Sequence, residues 1–392
     1  MGNLKEYPFD IRDIVLLLNL KVKHKNPSSW DVNCPFCGNR KGKLNINTVK
    51  NVFRCNYCAE SGGMLALYGK VYNLSNKEAY EEIIKSLHLG LNAPDYQVKE
   101  NEKGLEIENS TRASEKEIHQ TYLRLLEYLS LSEGHKKAIQ ERGLTEEQIA
   151  KHNYKSTPLF GFKQLTERLI REGYTVKGVP GFYSLKDGSW SMNVSARNGG
   201  FFIPIISIDG LIQGMQIRLD KPYNGMKYLW FSSSNKENGV TSGSPVHFIG
   251  DVNRDVIYLT EGALKGNIAH EYAKHTMLCV AGVNQYKHLP ELLMRLKKSG
   301  MKYLIEAYDM DKLLNPVCRA DHSEYCQECA EKQVGQGCKR KITKLNNIQR
   351  GCLRVYEICH EINLPCTRFV WDIDEKGFWK EEIKGIDDYY GS

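Results

Sequence analysis

The 392-residue sequence contains no run of about 18 apolar residues. Its start, MGNLKEYPFD, lacks the apolar core of a signal peptide and the serine or threonine of a myristoylation motif. The phosphate-binding loop G-x-x-x-x-G-K-[ST] is absent too, as are internal repeats and low-complexity tracts. We therefore expect an intracellular, cytoplasmic protein with no membrane partner, and no P-loop ATPase function.

The composition is that of a globular protein with room for two or three domains, at 41% hydrophobic and 26% charged residues. Without a secretory segment, the twelve cysteines favour reduced thiolate ligands over a disulfide framework. The net charge of +7 is concentrated in residues 1–91, where 13 basic side chains face 8 acidic ones. A basic excess of this size suits a polyanionic partner but also occurs in proteins that have none.

The hydrophobic pattern predicts a multidomain chain of α+β and α/β class. Residues 1–91 hold a short amphipathic helix, a cysteine-rich part and two further helices. Residues 92–117 are polar and predict a flexible linker. Residues 118–250 begin helical and continue with strands that include a hairpin at Asp209-Gly210. Residues 251–392 alternate strands and helices, which predicts a parallel sheet covered by helices.

Two Cys-x-x-Cys pairs, Cys34 with Cys37 and Cys55 with Cys58, are separated by 17 residues. Four thiolates around a tetrahedral Zn²⁺ require such pairs, brought together by an intervening hairpin. Because all four ligands come from the protein, we expect a structural zinc and no catalysis there. The alternative is a set of unrelated buried thiols.

The surface between these pairs combines cations with aromatic rings, as proteins that bind nucleic acid do. The cations that we expect to contact phosphates are Arg40, Lys43 and Arg54, with Lys41 and Lys50 beside them, and the rings are Trp30, Phe53 and Tyr57. The alternative interpretation is a solvated face beside a small core.

The segments CPFC, FRCNYCAESGGMLAL and NLSNKEAYEEII resemble the N-terminal zinc ribbon of bacterial DnaG-type primases. The Gly-Gly step into a helix and the spacing agree with that family. The second ligand of the family is usually histidine, whereas this chain has Cys37, and four cysteines preserve the metal site. The resemblance implies a domain that binds single-stranded DNA template.

Three acidic residues follow two predicted strands: Glu261 in YLTEG, and Asp309 with Asp311 in YLIEAYDMD. In a parallel sheet both strand ends lie at one edge, and the Asp-x-Asp spacing on an extended backbone points both side chains to one side. Three converging carboxylates repel each other unless a divalent cation neutralises them, and Mg²⁺ prefers such oxygen ligands. Taken singly, Glu261 is more often a helix-start carboxylate than a catalytic group, and for the Asp-x-Asp alone two aspartates that cap a strand would be the preferred interpretation.

The same pattern resembles the TOPRIM domain shared by DnaG-type primases, topoisomerases and some nucleases. The resemblance implies that Glu261, Asp309 and Asp311 are catalytic acids that bind Mg²⁺ or Mn²⁺. The late segment WKEEIKGIDDYY resembles a further acidic element of such primases, which places Asp387 and Asp388 near the site.

A cysteine-rich insertion at about residues 312–341 departs from that family. Lys312-Leu313 stands where many primases have a small residue and a glycine. The insertion contains Cys318, Cys326, Cys329 and Cys338, with His322 as a spare ligand. We expect a second structural zinc here, and a loop of free thiols is the alternative.

The middle region, from RGLTEEQIAKHNYKSTP to KYLWFSS, resembles the basic N-terminal half of the primase catalytic core. This resemblance suggests four cations that hold the template-primer duplex or nucleotide phosphates: Arg142, Arg218, Lys227 and Lys265. Each is equally well an ordinary surface cation.

Together these features predict a DNA primase that joins ribonucleoside triphosphates on a single-stranded DNA template by two-metal nucleotidyl transfer. The alternatives are a TOPRIM-type nuclease and a non-catalytic zinc-containing nucleic-acid-binding protein. A topoisomerase fits less well, because the chain is short and no tyrosine is marked as a nucleophile. Because the sequence ends soon after the TOPRIM-like segment, we expect any replicative helicase partner to be a separate protein.

Overall fold

The computed structural model describes residues 7–37, 39–58, 60–72, 74–87, 110–194, 199–223, 226–234, 236–321, 326, 329 and 334–391. Contacts divide the chain into two compact units, Met1–Ile107 and Glu108–Ser392. The predicted linker lies outside the described residues up to position 109, and the predicted boundary between residues 250 and 251 falls within the second unit. Both boundaries stay predictions. Within the described ranges, each helix is too short or too polar to span a bilayer.

The first unit is an antiparallel sheet flanked by helices, with its cysteines at the strand ends and turns. The strands pair in chain order: β1 (Val22–Asn26), β2 (Ser29–Val32), β3 (Leu44–Asn47), β4 (Val52–Cys55) and β5 (Ser61–Gly63). The helices are α1 (Ile11–Leu17), α2 (Met64–Tyr72) and α3 (Asn76–Ser86). Asp10 caps the first helix, and its carboxylate accepts the Arg12 amide hydrogen at 2.7 Å.

Alternation along β2, β3 and β4 turns one sheet face inward. Trp30 lies opposite Ile46, and Ile46 lies opposite Phe53, in the antiparallel register. All three side chains are buried in one cluster with residues of the three helices. Gly62 packs so closely that a Cβ there would lie 3.2 Å from the Phe53 ring and 2.9 Å from the Cβ of Ala66. A larger residue at this position of β5 would therefore force Ala66 or the Phe53 ring to shift.

The second unit begins with the helices that the sequence predicts, interrupted by a short strand. The helices are α4 (Glu115–Glu127), α5 (Glu133–Gln140), α6 (Glu146–Lys151) and α7 (Phe162–Arg171), and the strand is β6 (Lys155–Ser156). A two-stranded ribbon follows, made of β7 (Phe182–Ser184) and β8 (Trp190–Met192). Next come β9 (Gly200–Ile206), β10 (Ile212–Tyr223) and β11 (Met226–Trp230), in a sheet of order β11-β10-β9-β6. The predicted hairpin at Asp209-Gly210 is confirmed, because β9 and β10 pair antiparallel across it.

The remainder of the second unit is the predicted α/β arrangement. Its strands are β12 (His247–Ile249), β13 (Val256–Glu261), β14 (Thr276–Val280), β15 (Tyr303–Glu306) and β16 (Cys366–Arg368). Its helices are α8 (Ala263–Ala273), α9 (Leu289–Lys298), α10 (Lys339–Glu361) and α11 (Ile386–Gly391), with a 3₁₀ helix at Met310–Leu313. The sheet order is β12-β14-β13-β15-β16; β12 alone pairs antiparallel among these strands.

Helices cover both faces of this sheet. Apolar side chains of α9 and α10 pack with Ile257, Leu259 and Leu304 on one face. On the other face, α8 lies between the sheet and β9, where Leu264 and Ile268 pack with Ile203. Burial on both faces explains why β14 is apolar at most positions rather than alternating. The predicted fold class, α+β and α/β with an N-terminal cysteine-rich ribbon, is confirmed.

Candidate metal centres

The four N-terminal cysteines converge on one point. Cys34 and Cys37 follow β2, whereas Cys55 ends β4 and Cys58 lies in the turn after it. The sulfur of Cys34 lies 3.8 Å from that of Cys58, and the sulfur of Cys37 lies 3.9 Å from that of Cys55. All four sulfurs lie within 4.8 Å of one another. A tetrahedral zinc with metal–sulfur bonds of about 2.3 Å requires sulfur–sulfur distances of about 3.8 Å, so the donor set fits zinc.

The backbone around these sulfurs favours thiolates. The amide hydrogens of Tyr57 and Cys58 are both directed at the Cys55 sulfur, with N–S distances of 3.4 Å. Hydrogen bonds among the sulfurs raise the pKa of Cys34 and lower the pKa values of Cys55 and Cys58. A cation among the four sulfurs would favour their ionised forms.

The prediction that three aromatic rings of the ribbon lie on its surface is wrong for Trp30 and Phe53. Trp30 is 7% exposed and Phe53 is 2% exposed, because both belong to the core of the first unit. The cations Arg40 and Arg54 are exposed, as expected of residues that contact phosphates. Lys43 is partly buried, and this burial lowers its pKa.

Glu261 and the two aspartates lie at one edge of the parallel sheet. Glu261 is the last residue of β13, and Gly262 with φ of 85° lets the chain turn directly into α8. Asp309 and Asp311 follow the neighbouring strand β15. The expected extended backbone between them is wrong, because β15 ends at Glu306 and Asp311 lies in the 3₁₀ helix. The two carboxylates nevertheless contact a common ammonium group.

That group belongs to Lys384, whose Nζ lies 3.2 Å from Asp309 and 3.0 Å from Asp311. Lys265 Nζ lies 2.5 and 2.6 Å from the two oxygens of Asp309, and 3.8 Å from Glu261. A third lysine, Lys344 of α10, lies 2.9 Å from Asp311. Lys265 was expected from the sequence, but Lys344 and Lys384 were not, although Lys384 stands three residues before Asp387 in the acidic element. Three lysine ammonium groups therefore surround the three acids.

The electrostatics of the site follow from this crowding. Withdrawal from water raises the pKa of Glu261 to about 8, and the charge of Asp309 contributes. Burial alone would raise the pKa of Asp311 too, but Lys344 and Lys384 outweigh it and hold the pKa below its usual value. A divalent cation among these carboxylates would favour the ionised form of Glu261 as well.

Of the two late acids, only Asp387 is directed towards this centre. It is 4% exposed at the start of α11, and its charge interacts with Lys265 and Asp309. Among the described residues, one of its carboxylate oxygens, Oδ1, is buried without a hydrogen-bond partner. A buried acceptor without a partner fits a place for a cation. Asp388 is exposed and accepts the Gly385 amide hydrogen at 3.2 Å, so it caps its own turn.

The predicted cations of the middle region divide into two groups. Arg142 forms an ion pair with Asp387, and Arg218 donates to the Tyr228 hydroxyl at 3.3 Å. The Arg142 guanidinium also interacts with that hydroxyl, so the two arginines approach the acidic site together. Lys227 is exposed, and strand alternation places it on the face opposite Tyr228.

A buried polar network supports the loop that carries the aspartates. Glu306 accepts from Lys312 at 2.9 Å and from the Tyr356 hydroxyl at 2.6 Å. Arg368 Nε in turn donates to that hydroxyl at 3.0 Å and lies 3.3 Å from Glu306. Lys312 appears in the sequence only as a departure from the primase pattern. Its buried partner is 6 residues away, and no periodicity marks it.

Within the described residues, the first four cysteines are the one set of three or more metal-ligating side chains whose ligand atoms lie this close together. In the insertion, Cys318 and Cys338 each adjoin the antiparallel bridge between Val317 and Gly337. Cys326 is buried and Cys329 is partly exposed. His322 lies outside the described residues. The second zinc stays a prediction.

Comparison with known proteins identifies the N-terminal ribbon. Residues 5–100 match the family model of the DnaG zinc ribbon, the CHC2 zinc finger, so the resemblance seen in the sequence is confirmed for this segment. A DNA primase of Lactococcus lactis subsp. lactis (strain IL1403) is 27% identical over 143 residues. The match covers 36% of this chain and 22% of that primase, so the chain spans about a fifth of the relative's length.

Two solved structures are similar at low identity. The zinc-binding and RNA polymerase domains of the Aquifex aeolicus primase are 16% identical, with a TM-score of 0.39 and coverage of 90% of this chain and 83% of that chain. The RNA polymerase domain of Mycobacterium tuberculosis primase DnaG is 14% identical, with a TM-score of 0.41 and coverage of 63% and 84%. Both TM-scores lie below 0.5, so the fold of this chain is assigned from its own strand order and not from these structures.

Proposed function

We propose that this chain, which begins with a DnaG-type zinc ribbon, is a DNA-dependent RNA primase that joins ribonucleoside triphosphates on a single-stranded DNA template. One observation carries the proposal: the ribbon stands on the same chain as three acids at the carboxyl ends of adjacent parallel strands. The acids are Glu261, Asp309 and Asp311. A template-binding module and a divalent-metal site are the two parts that primer synthesis requires.

Glu261, Asp309 and Asp311 would hold Mg²⁺ or Mn²⁺, and Asp387 would contribute through its unpartnered oxygen. Carboxylates are the hard oxygen donors that these ions prefer. When bound, a pair of such ions would favour ionisation of the attacking 3′-hydroxyl and stabilise the leaving pyrophosphate. No protein nucleophile is needed, because phosphoryl transfer depends mainly on positioning and charge.

The remaining residues would orient the substrates. Arg142 and Arg218 share the Tyr228 hydroxyl near the acidic site, where their charges suit the phosphates of a nucleotide or of the template-primer duplex. Lys227, on the other strand face, would contact the nucleic acid backbone farther away. On the ribbon, Arg40, Lys43 and Arg54 would bind template phosphates. A replicative helicase would be a further partner, and we expect the reaction to take place in the cytoplasm.

The test is primer synthesis on single-stranded DNA with labelled ribonucleotides and Mg²⁺ or Mn²⁺. We expect short RNA products from the unaltered chain and none from the variant Asp309→Asn with Asp311→Asn. The matched control is Asp255→Asn, which changes an exposed aspartate paired only with Lys302 among the contacts described. Its products should equal those of the unaltered chain.

The same incubation separates the alternatives. Shortened DNA without RNA would indicate a nuclease that uses the same metal site. Binding of DNA without either product would indicate a nucleic-acid-binding protein. Unchanged synthesis by the double aspartate variant would contradict the proposed site.

A further inference from the structure

Two lysine ammonium groups each lie between two of the three acids. Lys265 Nζ contacts both oxygens of Asp309 and lies 3.8 Å from Glu261. Lys384 Nζ lies 3.2 Å from Asp309 and 3.0 Å from Asp311. Divalent ions held by these acids would bind the same carboxylate oxygens that the two ammonium groups contact. The lysines and the metal therefore compete for the same oxygens.

The backbone of Lys384 is fixed, so its contact is not that of a loose surface side chain. The Lys384 carbonyl accepts the Met310 amide hydrogen at 2.9 Å, which ties it to the 3₁₀ helix that carries Asp311. The preceding carbonyl, of Ile383, accepts from the indole nitrogens of Trp371 and Trp379, each at 3.1 Å. These backbone contacts thus hold the Lys384 ammonium group beside Asp309 and Asp311.

The position of Lys265 is also set by the backbone. This residue lies in the first turn of α8, four residues after Glu261, and the sharp turn at Gly262 brings its side chain back towards the acid. Its side chain is 24% exposed, and that of Lys384 is 45% exposed. Because neither side chain is fully shielded from solvent, each can change its rotamer and reach another anion without unfolding the site.

The charges of the site indicate which anion would receive the displaced ammonium groups. Lys265, Lys384 and Lys344 already offset the negative charge of the carboxylates that they contact. Divalent ions that enter alone would leave excess positive charge in a partly buried site, which is costly. The polyphosphate of a nucleoside triphosphate supplies negative charge for the displaced ammonium groups, so metal and nucleotide should bind together.

We propose that Lys265 and Lys384 are exchangeable counter-ions that couple metal binding to nucleotide binding. In the metal-free protein they hold the carboxylates, and they transfer to the nucleotide polyphosphate when divalent ions take those oxygens. This inference rests on the proposed function, because it takes a ribonucleoside triphosphate as the ligand. It makes the two lysines positioning residues for the metal and the substrate.

The test measures two affinities without measuring catalysis. Free Mn²⁺ is followed by electron paramagnetic resonance in a titration of the nucleotide-free protein. Binding of an ATP analogue with a methylene group between the α- and β-phosphorus atoms is then measured by calorimetry at saturating Mn²⁺. For Lys384→Met and Lys265→Met we expect Mn²⁺ to bind about tenfold more tightly and the analogue about tenfold more weakly, a size typical of coupling between sites.

The opposite signs distinguish this role from a structural one. A variant that merely disturbs the site would lose both affinities together, and that outcome would overturn the proposal, as would an unchanged Mn²⁺ affinity. Lys302→Met, which removes an exposed lysine paired with Asp255, is the control and should alter neither. Thermal unfolding of each variant checks that the fold is retained.

The same data separate this inference from the proposed function. If the unaltered protein binds no Mn²⁺, the metal site and the inference both fail. If Mn²⁺ binds but the lysine variants lack the opposite shifts, the inference alone fails and primer synthesis stands on its own assay.

Discussion

Lys312 and Glu306 form an ion pair in which both side chains are fully shielded from solvent, with 2.9 Å between Nζ and Oε1. Lys312 also donates to the Phe369 carbonyl at 2.7 Å, and Glu306 accepts the Tyr308 amide hydrogen at 2.8 Å. Because Lys312 directly follows Asp311, the pair fixes the short helix that carries this aspartate.

We expect Lys312→Met to lower the free energy of unfolding of the second unit by about 3–5 kcal/mol, because it leaves Glu306 buried without its cation. Urea denaturation followed by circular dichroism measures the change. Lys302→Met removes an exposed lysine from an ion pair and should change stability little. Adding Glu306→Gln to Lys312→Met should restore part of the loss. Equal effects of Lys312→Met and Lys302→Met would show that the buried pair is not a stabilising contact.

Asp387→Asn should reduce primer synthesis on the order of 10- to 100-fold, the range typical of groups that support a metal site. The carboxylate of Asp387 is buried near Lys265 and Asp309 and carries the unpartnered oxygen. Its neighbour gives the matched control, because Asp388 is exposed and caps its own turn. Asp388→Asn should therefore leave synthesis nearly unchanged. Similar losses in both variants would remove the distinction drawn between the two aspartates.

His247 should make the second unit less stable in acid. Its Nδ1 accepts the Ile206 amide hydrogen at 3.0 Å and its Nε2 donates to Asn267 at 2.7 Å, which requires the neutral ring. Burial lowers the pKa of His247 from the ordinary 6.5 to about 4. A lowered pKa means that this stability is complete above pH 6.5 and is lost as the pH falls towards 4, by about 3 kcal/mol in total.

The measurement is the free energy of unfolding by urea between pH 4 and pH 7.5, with histidine resonances followed by NMR. His247→Gln should flatten the dependence, although His152, whose pKa burial also lowers to about 4, keeps part of it. His360→Gln changes an exposed ring and should leave the dependence as it is. A His247 resonance that titrates near pH 6.5 in the folded protein would contradict the prediction.

Cys55→Ser should remove the ribbon zinc, abolish template-directed initiation and leave Mn²⁺ binding at the acidic site intact. The reason is that Cys55 is one of four ligands in a closed site, so its loss unfolds the ribbon without touching the second unit's acids. Metal analysis by mass spectrometry counts the zinc, and electron paramagnetic resonance follows Mn²⁺. Cys366→Ser, at a cysteine outside both clusters, should keep the zinc content.

The same zinc count tests the insertion. If Cys318, Cys326, Cys329 and Cys338 bind a second ion, the unaltered chain holds two zinc ions and Cys329→Ser holds one. A single zinc in the unaltered chain, lost only with Cys55→Ser, would leave the insertion without metal. Loss of Mn²⁺ binding in Cys55→Ser would contradict the independence of the two centres.

Local patterns were enough to predict the ribbon and the parallel sheet. The spacing of Cys34, Cys37, Cys55 and Cys58 determined a four-thiolate site, because two short knuckles and a hairpin lie close along the chain. The alternation of strand and helix after residue 251 placed Glu261 and Asp309 at one sheet edge, because parallel strands end on the same side. Both conclusions depend on short-range geometry.

Tertiary structure alone decided the charge of the acidic site and the exposure of the ribbon's rings. Lys344, Lys384 and Arg142 come from segments far apart in sequence, and only packing brings their cations onto the acids. Likewise, Trp30 and Phe53 are aromatic residues of the kind that stack on bases. Both are nevertheless buried in the core of the first unit, because alternation along the strands places them on the inner face of the sheet. A sequence gives the residue types, whereas the register of strands and the docking of helices decide which of them meet.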